Sequence, residues 1–136
     1  MIIVLRFKKS CETQSECQDR AGANNPLWII RKDAKEIEEY KPNKQPIGKY
    51  ADHKPFEEHI IQLSTGDSLY VFTDGYQDQF GGEKGKKYKP SRLKSQLLAL
   101  NGATMSEQKK SLHEEPRSWQ GNLEQLDDVC MFGVRI

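Results

Sequence analysis

Apolar residues in this chain come in short runs cut by Pro, Gly, Asn and Asp, which is the texture of strands joined by turns. Pro26 to Arg31 reads as a strand, Lys32-Asp33 as a turn, and Ala34 to Tyr40 as a second strand with Ile37 inward, so a hairpin is predicted. The stretch Lys41 to Gly48, rich in Pro, Asn and Gly, is a loop, and Phe56 to Leu63 resumes with Phe56, Ile60, Ile61 and Leu63 as a third strand. Ser64-Thr65-Gly66-Asp67 is turn chemistry, and it leads into Ser68-Leu69-Tyr70-Val71-Phe72, the most strand-prone run in the chain. That run ends at Thr73-Asp74-Gly75.

Beyond it the period lengthens. Gly81, Gly82 and Gly85 with Lys84, Lys86 and Lys87 read as a flexible cationic loop, and Pro90 to Leu100 and Thr104 to Trp119 carry helical spacing. A Ser or Thr cap opens the second helix, and Pro116 predicts a kink or early stop within it. Val129 to Ile136 is continuously apolar, as a strand buried on both faces would be. Lys8 to Arg20 shows neither period and reads as an atypical lead-in, residues 1–20, with a boundary near Ala21 and one domain over residues 21–136.

Composition narrows the function. Lys and Arg total 21 against 20 Asp and Glu, so no global field draws the chain to nucleic acid, and Tyr70, Phe72, Tyr76 and Phe80 suit one strand and its turn better than a stacking platform. No apolar stretch approaches the roughly 20 residues of a membrane span, and Met1 to Leu5 is too short for a secretory segment. A cytoplasmic chain is expected. The three cysteines and three histidines lack zinc-site spacing, so the thiols read as reduced.

The chemistry sits at strand ends, where side chains are held rigidly enough to coordinate a hard cation through carboxylate oxygen. Asp74 follows one apolar run, and Asp127 with Asp128 precedes another. Gly75 permits a sharp turn beside the carboxylate, and Asp78 lies one turn on. Magnesium or manganese is the natural guest. Taken alone, an Asp-Gly after a strand is usually just a turn, and an Asp-Asp pair is usually a strand entry exposed to water.

The order of motifs adds to this. Ala21-Gly22-Ala23-Asn24-Asn25-Pro26, then Gln45-Pro46-Ile47-Gly48, then Ser64-Thr65-Gly66-Asp67 feeding Thr73-Asp74-Gly75, then Asp127-Asp128-Val129 resembles the C-terminal half of the protein phosphatase 2C-like family, most closely its stage II sporulation protein E branch. The resemblance implies an α+β fold: part of a sandwich of antiparallel sheets with two helices packed on one side. It implies a metal-dependent serine/threonine phosphatase with a two-ion site of manganese or magnesium, acting on a phosphorylated regulatory protein in bacterial signalling. Asp74 and Asp127 match the family's metal-binding aspartates, while Gly75, Asp128, Asp78 and Asn24 are secondary positions. The family's earlier metal-binding aspartate has no counterpart in residues 1–20, so the chain by itself is expected to be inactive. Lys84, Lys86 and Lys87 either attract a phosphorylated substrate or form a solvated surface. The competing reading is a non-catalytic interaction module that self-associates through exposed sheet edges.

Overall fold

The computed structural model describes residues 25–42 and 59–136 in full and residues 3–9 and 16–22 by their backbone. Its strands are β1 (Ile3–Lys9), β2 (Glu16–Gly22), β3 (Leu27–Ile30), β4 (Glu38–Tyr40), β5 (His59–Leu63), β6 (Ser68–Phe72), β7 (Phe80–Gly81), β8 (Lys86–Lys87) and β9 (Met131–Arg135). The helices are α1 (Gly75–Asp78), α2 (Pro90–Ala99) and α3 (Met105–Gln120). One sheet runs β4-β3-β6-β9 and a second β1-β2-β5, and every strand pair is antiparallel.

The β4-β3-β6-β9 sheet is the middle layer, and the alternation of side chains along β3 and β6 divides its two faces. Trp28, Ile30, Tyr70 and Phe72 point to one side, where they meet Tyr76, Tyr88, Leu93 and Leu97 around α2 and α3. Leu27, Ile29, Leu69 and Val71 point to the other and meet Ile61 and Leu63 of β5. This is the expected α+β sandwich with both helices on one side, and it explains why Ser68 to Phe72 is continuously apolar: every residue of β6 is buried.

Several expectations need correction. The stretch Lys8 to Arg20, read as lacking strand periodicity, takes in the end of β1 and most of β2. These strands draw their order from pairing, β2 lying between β1 and β5, a long-range cause that local composition does not carry. The second hairpin strand is confined to Glu38–Tyr40, although Ile37 does pack against the core. Asn24, Gln45 to Gly48 and Phe56 lie outside the described residues.

Helix α3 begins as predicted. Thr104 accepts from the Glu107 N–H at 3.3 Å, and Glu107 accepts from the Thr104 N–H at 2.8 Å, a reciprocal capping box. It does not stop at Pro116 but continues to Gln120. A proline there cannot donate to the carbonyl four residues back, which is that of Leu112, and the Tyr76 hydroxyl reaches this carbonyl from α1 at 3.0 Å. The acceptor released by the proline is thereby satisfied.

The last strand is also not buried on both faces. It forms an edge of its sheet, starts only at Met131, and leaves Phe132 55% exposed, with Val129 ahead of it 41% exposed. Cys130 is a free, exposed thiol.

Candidate metal centre

Asp74 stands two residues beyond β6, at the N-cap of α1, where its side chain makes no capping hydrogen bond. Antiparallel pairing of β6 with β9 places Phe72 opposite Met131, and Thr73 extends that pairing backwards. Its N–H donates to the Cys130 carbonyl at 2.9 Å, its hydroxyl donates to the Asp128 carbonyl at 2.8 Å, and the same hydroxyl accepts from the Cys130 N–H at 2.9 Å. The Thr-Asp-Gly turn and the Asp-Asp segment, some fifty residues apart in sequence, are therefore clasped together.

Gly75 completes the approach, for a reason other than the one its sequence suggests. It is not among the glycines with positive φ. A Cβ there would stand 2.5 Å from the Asp128 carbonyl oxygen and 3.2 Å from the Asp127 carbonyl carbon, closer than side chains stand to backbone. Glycine is required because the two acidic segments touch.

The carboxylates themselves face outward, Asp74, Asp127 and Asp128 all being exposed. Asp127 Oδ1 accepts from the Asp128 N–H at 2.7 Å, which orients its carboxylate. Gln125 donates to the Asp127 carbonyl at 2.9 Å, and buried Gln79 donates to the Glu124 carbonyl at 2.9 Å, so the incoming loop is tied down. Asp78 is turned to other use: its Oδ2 lies 3.2 Å from Lys87 Nζ. Among the described residues no group of three or more His, Cys, Asp and Glu side chains converges as a closed metal cage. Exposed carboxylates of this kind are the oxygen ligands that magnesium-like ions take, with water completing their shell.

Below the turn, Tyr76 and Tyr88 pin α1 to the helices. Tyr76 reaches Gln96 as well as Leu112, and Tyr88 donates to Gln96 at 2.9 Å. Burial first, and then the neighbouring Glu115 charge, push the Tyr88 phenol up to about 12. Burial, followed by Tyr88 and Glu115, raises Tyr76 as well. Both rings are neutral donors at physiological pH.

The glycine-lysine loop is a short hairpin, β7 with β8, and it is not loose. A Cβ at Gly81 would stand 1.9 Å from the Trp119 carbonyl oxygen, and one at Gly82 2.8 Å from the Trp119 ring, so α3 clamps its base. Sequence reasoning missed Thr73, Gln79 and Trp119. Only Thr73 carried a signal, as the first residue of its motif.

Residues 13–136 match the model of the stage II sporulation protein E family. The chain belongs to that family. Its fold is similar to that of the SiaA-PP2C domain of Pseudomonas aeruginosa, with 26% identity, a TM-score of 0.78, and coverage of 88% of this chain and 46% of that one. It is similar also to the phosphatase domain of SpoIIE from Bacillus subtilis, with 18% identity, a TM-score of 0.63, and coverage of 98% of this chain and 58% of that one. A manganese-presoaked form of the latter gives 19% identity and a TM-score of 0.62, covering 98% of this chain and 56% of that one. The stage II sporulation protein E family match thus begins ahead of Ala21, and the chain spans about half the length of these domains. No curated protein matches it. No described helix is long and apolar enough to cross a membrane.

Proposed function

We propose that this chain is the C-terminal part of a metal-dependent serine/threonine protein phosphatase and supplies one side of its two-ion site, Asp74 and Asp127 binding manganese or magnesium. The observation that supports this reading is the contact of Gly75 with the Asp127-Asp128 backbone, reinforced by Thr73, which sets two distant segments, each carrying an exposed aspartate, against one another. Family membership and the manganese-presoaked relative agree with it.

Bound divalent ions supply an acidified water and neutralise charge developing on the phosphoryl oxygens. The chain's own residues do the positioning. Thr73 and Gly75 fix the distance between the acidic segments, the Asp128 N–H orients Asp127, and Tyr76 holds α1 against Leu112. Asp128 is a neighbour that shapes the segment, and Asp78 supports the turn through Lys87. The substrate in this reading is phosphoserine or phosphothreonine on a regulatory protein of a cytoplasmic bacterial signalling pathway. In this reading the chain alone binds the ion without turning over substrate, because residues 1–20 carry no counterpart of the family's earlier metal-binding aspartate.

Isothermal titration calorimetry with manganese tests this. Binding is expected in the parent, lost in Asp74→Ala and in Asp127→Ala, and retained in Asp78→Ala. Absence of binding in the parent, or binding indifferent to both substitutions, contradicts it.

One observation favours the second reading, an interaction module that self-associates through a sheet edge. Phe132 and Val129 are exposed on or beside edge strand β9, with Leu123 and Leu126 exposed in the loop before it. That reading predicts concentration-dependent association that is insensitive to metal, measurable by sedimentation velocity with and without EDTA.

A further inference from the structure

Between the β7-β8 hairpin, the start of α2 and the end of α3 lies a shallow, open cavity of about 390 Å³, lined by Lys86, Lys87, Lys89, Arg92, Tyr88 and Trp119 together with Ser91 and Ser95. Four cationic residues line it. Of these, Lys87 is engaged by Asp78 and Arg92 by Glu115, whereas Lys86 and Lys89 meet no acidic partner among the described residues.

The cavity has a rigid floor. The Arg92 guanidinium lies 4.3 Å from the centre of the Trp119 ring and 5.1 Å from that of Tyr88, and those rings pack edge to face at 5.7 Å. A guanidinium held in this way loses little freedom on meeting an anion. The hairpin above is clamped by Trp119 against Gly81 and Gly82, so Lys86 and Lys87 project from a fixed base. Helix α2 opens with no acidic residue in its first turn and no side-chain cap, so the carboxylates that reach the cavity's cations are Asp78 and Glu115, which leave Lys86 and Lys89 open to an incoming anion.

The pocket is also tied to the candidate metal centre. Lys87 pairs with Asp78, whose N–H donates to the Asp74 carbonyl at 2.9 Å. The cavity and the acidic turn are thus linked through Asp78.

We propose that this cavity is a docking subsite for a phosphoryl group of the phosphoprotein substrate, separate from the phosphoryl group presented to the metal; the proposal rests on the phosphatase reading for the identity of the partner, but not for the existence of the site. A dianionic phosphoryl group fits ammonium and guanidinium donors better than a monoanionic carboxylate does. The tyrosine and tryptophan rings offer apolar surface to the flanking peptide.

The test is titration calorimetry at low ionic strength, in EDTA, with a phosphoserine peptide and its serine and glutamate counterparts. The parent chain is expected to bind the phosphopeptide, with affinity falling as salt rises. Lys86→Glu/Lys89→Glu is expected to weaken binding at least about tenfold, the scale of losing two charge-assisted contacts. Lys109→Glu/Lys110→Glu, an equal change of charge elsewhere on the surface, is expected to leave it unchanged. Far-UV circular dichroism checks that both double variants keep the fold. No phosphopeptide binding, equal binding of the glutamate peptide, or equal loss in both double variants overturns the proposal. Since EDTA removes any ion, failure of the metal reading leaves this measurement intact, and failure here leaves manganese binding to be judged separately.

Discussion

Strand β6 carries an aspartate at each end, and the two are treated oppositely. Asp67, at the entrance, is 2% exposed. Its carboxylate accepts from Arg31 at 2.9 Å, from the Ser64 N–H at 2.9 Å and from the Lys32 N–H at 3.1 Å. Burial alone would raise its pKa, but the Ser64 N–H, then Arg31, then the Lys32 N–H outweigh it and hold the carboxyl below its usual range. Asp74, at the exit, is exposed, and no donor among the described residues meets its side chain. A carboxylate saturated by protein donors holds turns together, whereas one placed rigidly and left open is free to take a ligand.

The sharpest way to break this contrast is Asp67→Ala. It strands two backbone N–H groups and takes from Arg31 one of its partners, leaving it Glu38 and the Gln62 carbonyl, and is expected to cost about 3 kcal/mol, read as a lower urea midpoint. Gly75→Ala is expected to cost about 2 kcal/mol, because its Cβ meets the Asp128 carbonyl, a backbone atom. It should also weaken manganese binding without removing either carboxylate, which separates positioning from coordination.

Acid titration sharpens the comparison further. Since the folded pKa of Asp67 is lowered from 3.8, the unfolded chain takes up the proton first as pH falls. The contribution of Asp67 is full above its unfolded value and is lost as pH drops below 3.8 toward the folded value. Glu38, lowered first by its hydrogen bond to Arg31, acts in the same sense below 4.5. Urea midpoints of the parent should fall over this range, and those of Asp67→Ala should fall less. The smallest effect belongs to Asp74→Ala, expected to change stability by no more than about 0.5 kcal/mol while removing manganese binding.

Much of the sheet's inner layer was legible from sequence, because β3 and β6 bury nearly every residue and so read as continuous apolar runs. Helix α3 was legible from its cap. Its continuation past Pro116 was not, since the hydroxyl that takes the released Leu112 carbonyl comes from Tyr76, far off in sequence. Strands β1 and β2 were hidden for a similar reason, their order coming from pairing with each other and with β5. At the candidate site, Asp74 and Asp127 were visible as strand-end acids, and the structure sets their segments side by side. The role of Gly75 was misread as a turn requirement, because a close approach between distant segments leaves no local trace. Asn24 lies outside the described residues.

The most direct test of the contrast between the two ends of β6 is paramagnetic broadening of backbone amide resonances by substoichiometric manganese. Asp74 and Asp127 as ligands predict the strongest broadening at residues 73–78 and 127–130, weakening along β6 toward Asp67, and its loss in Asp74→Ala. Broadening centred on the Asp67 turn, spread evenly over the surface, or unchanged in that variant would contradict the account.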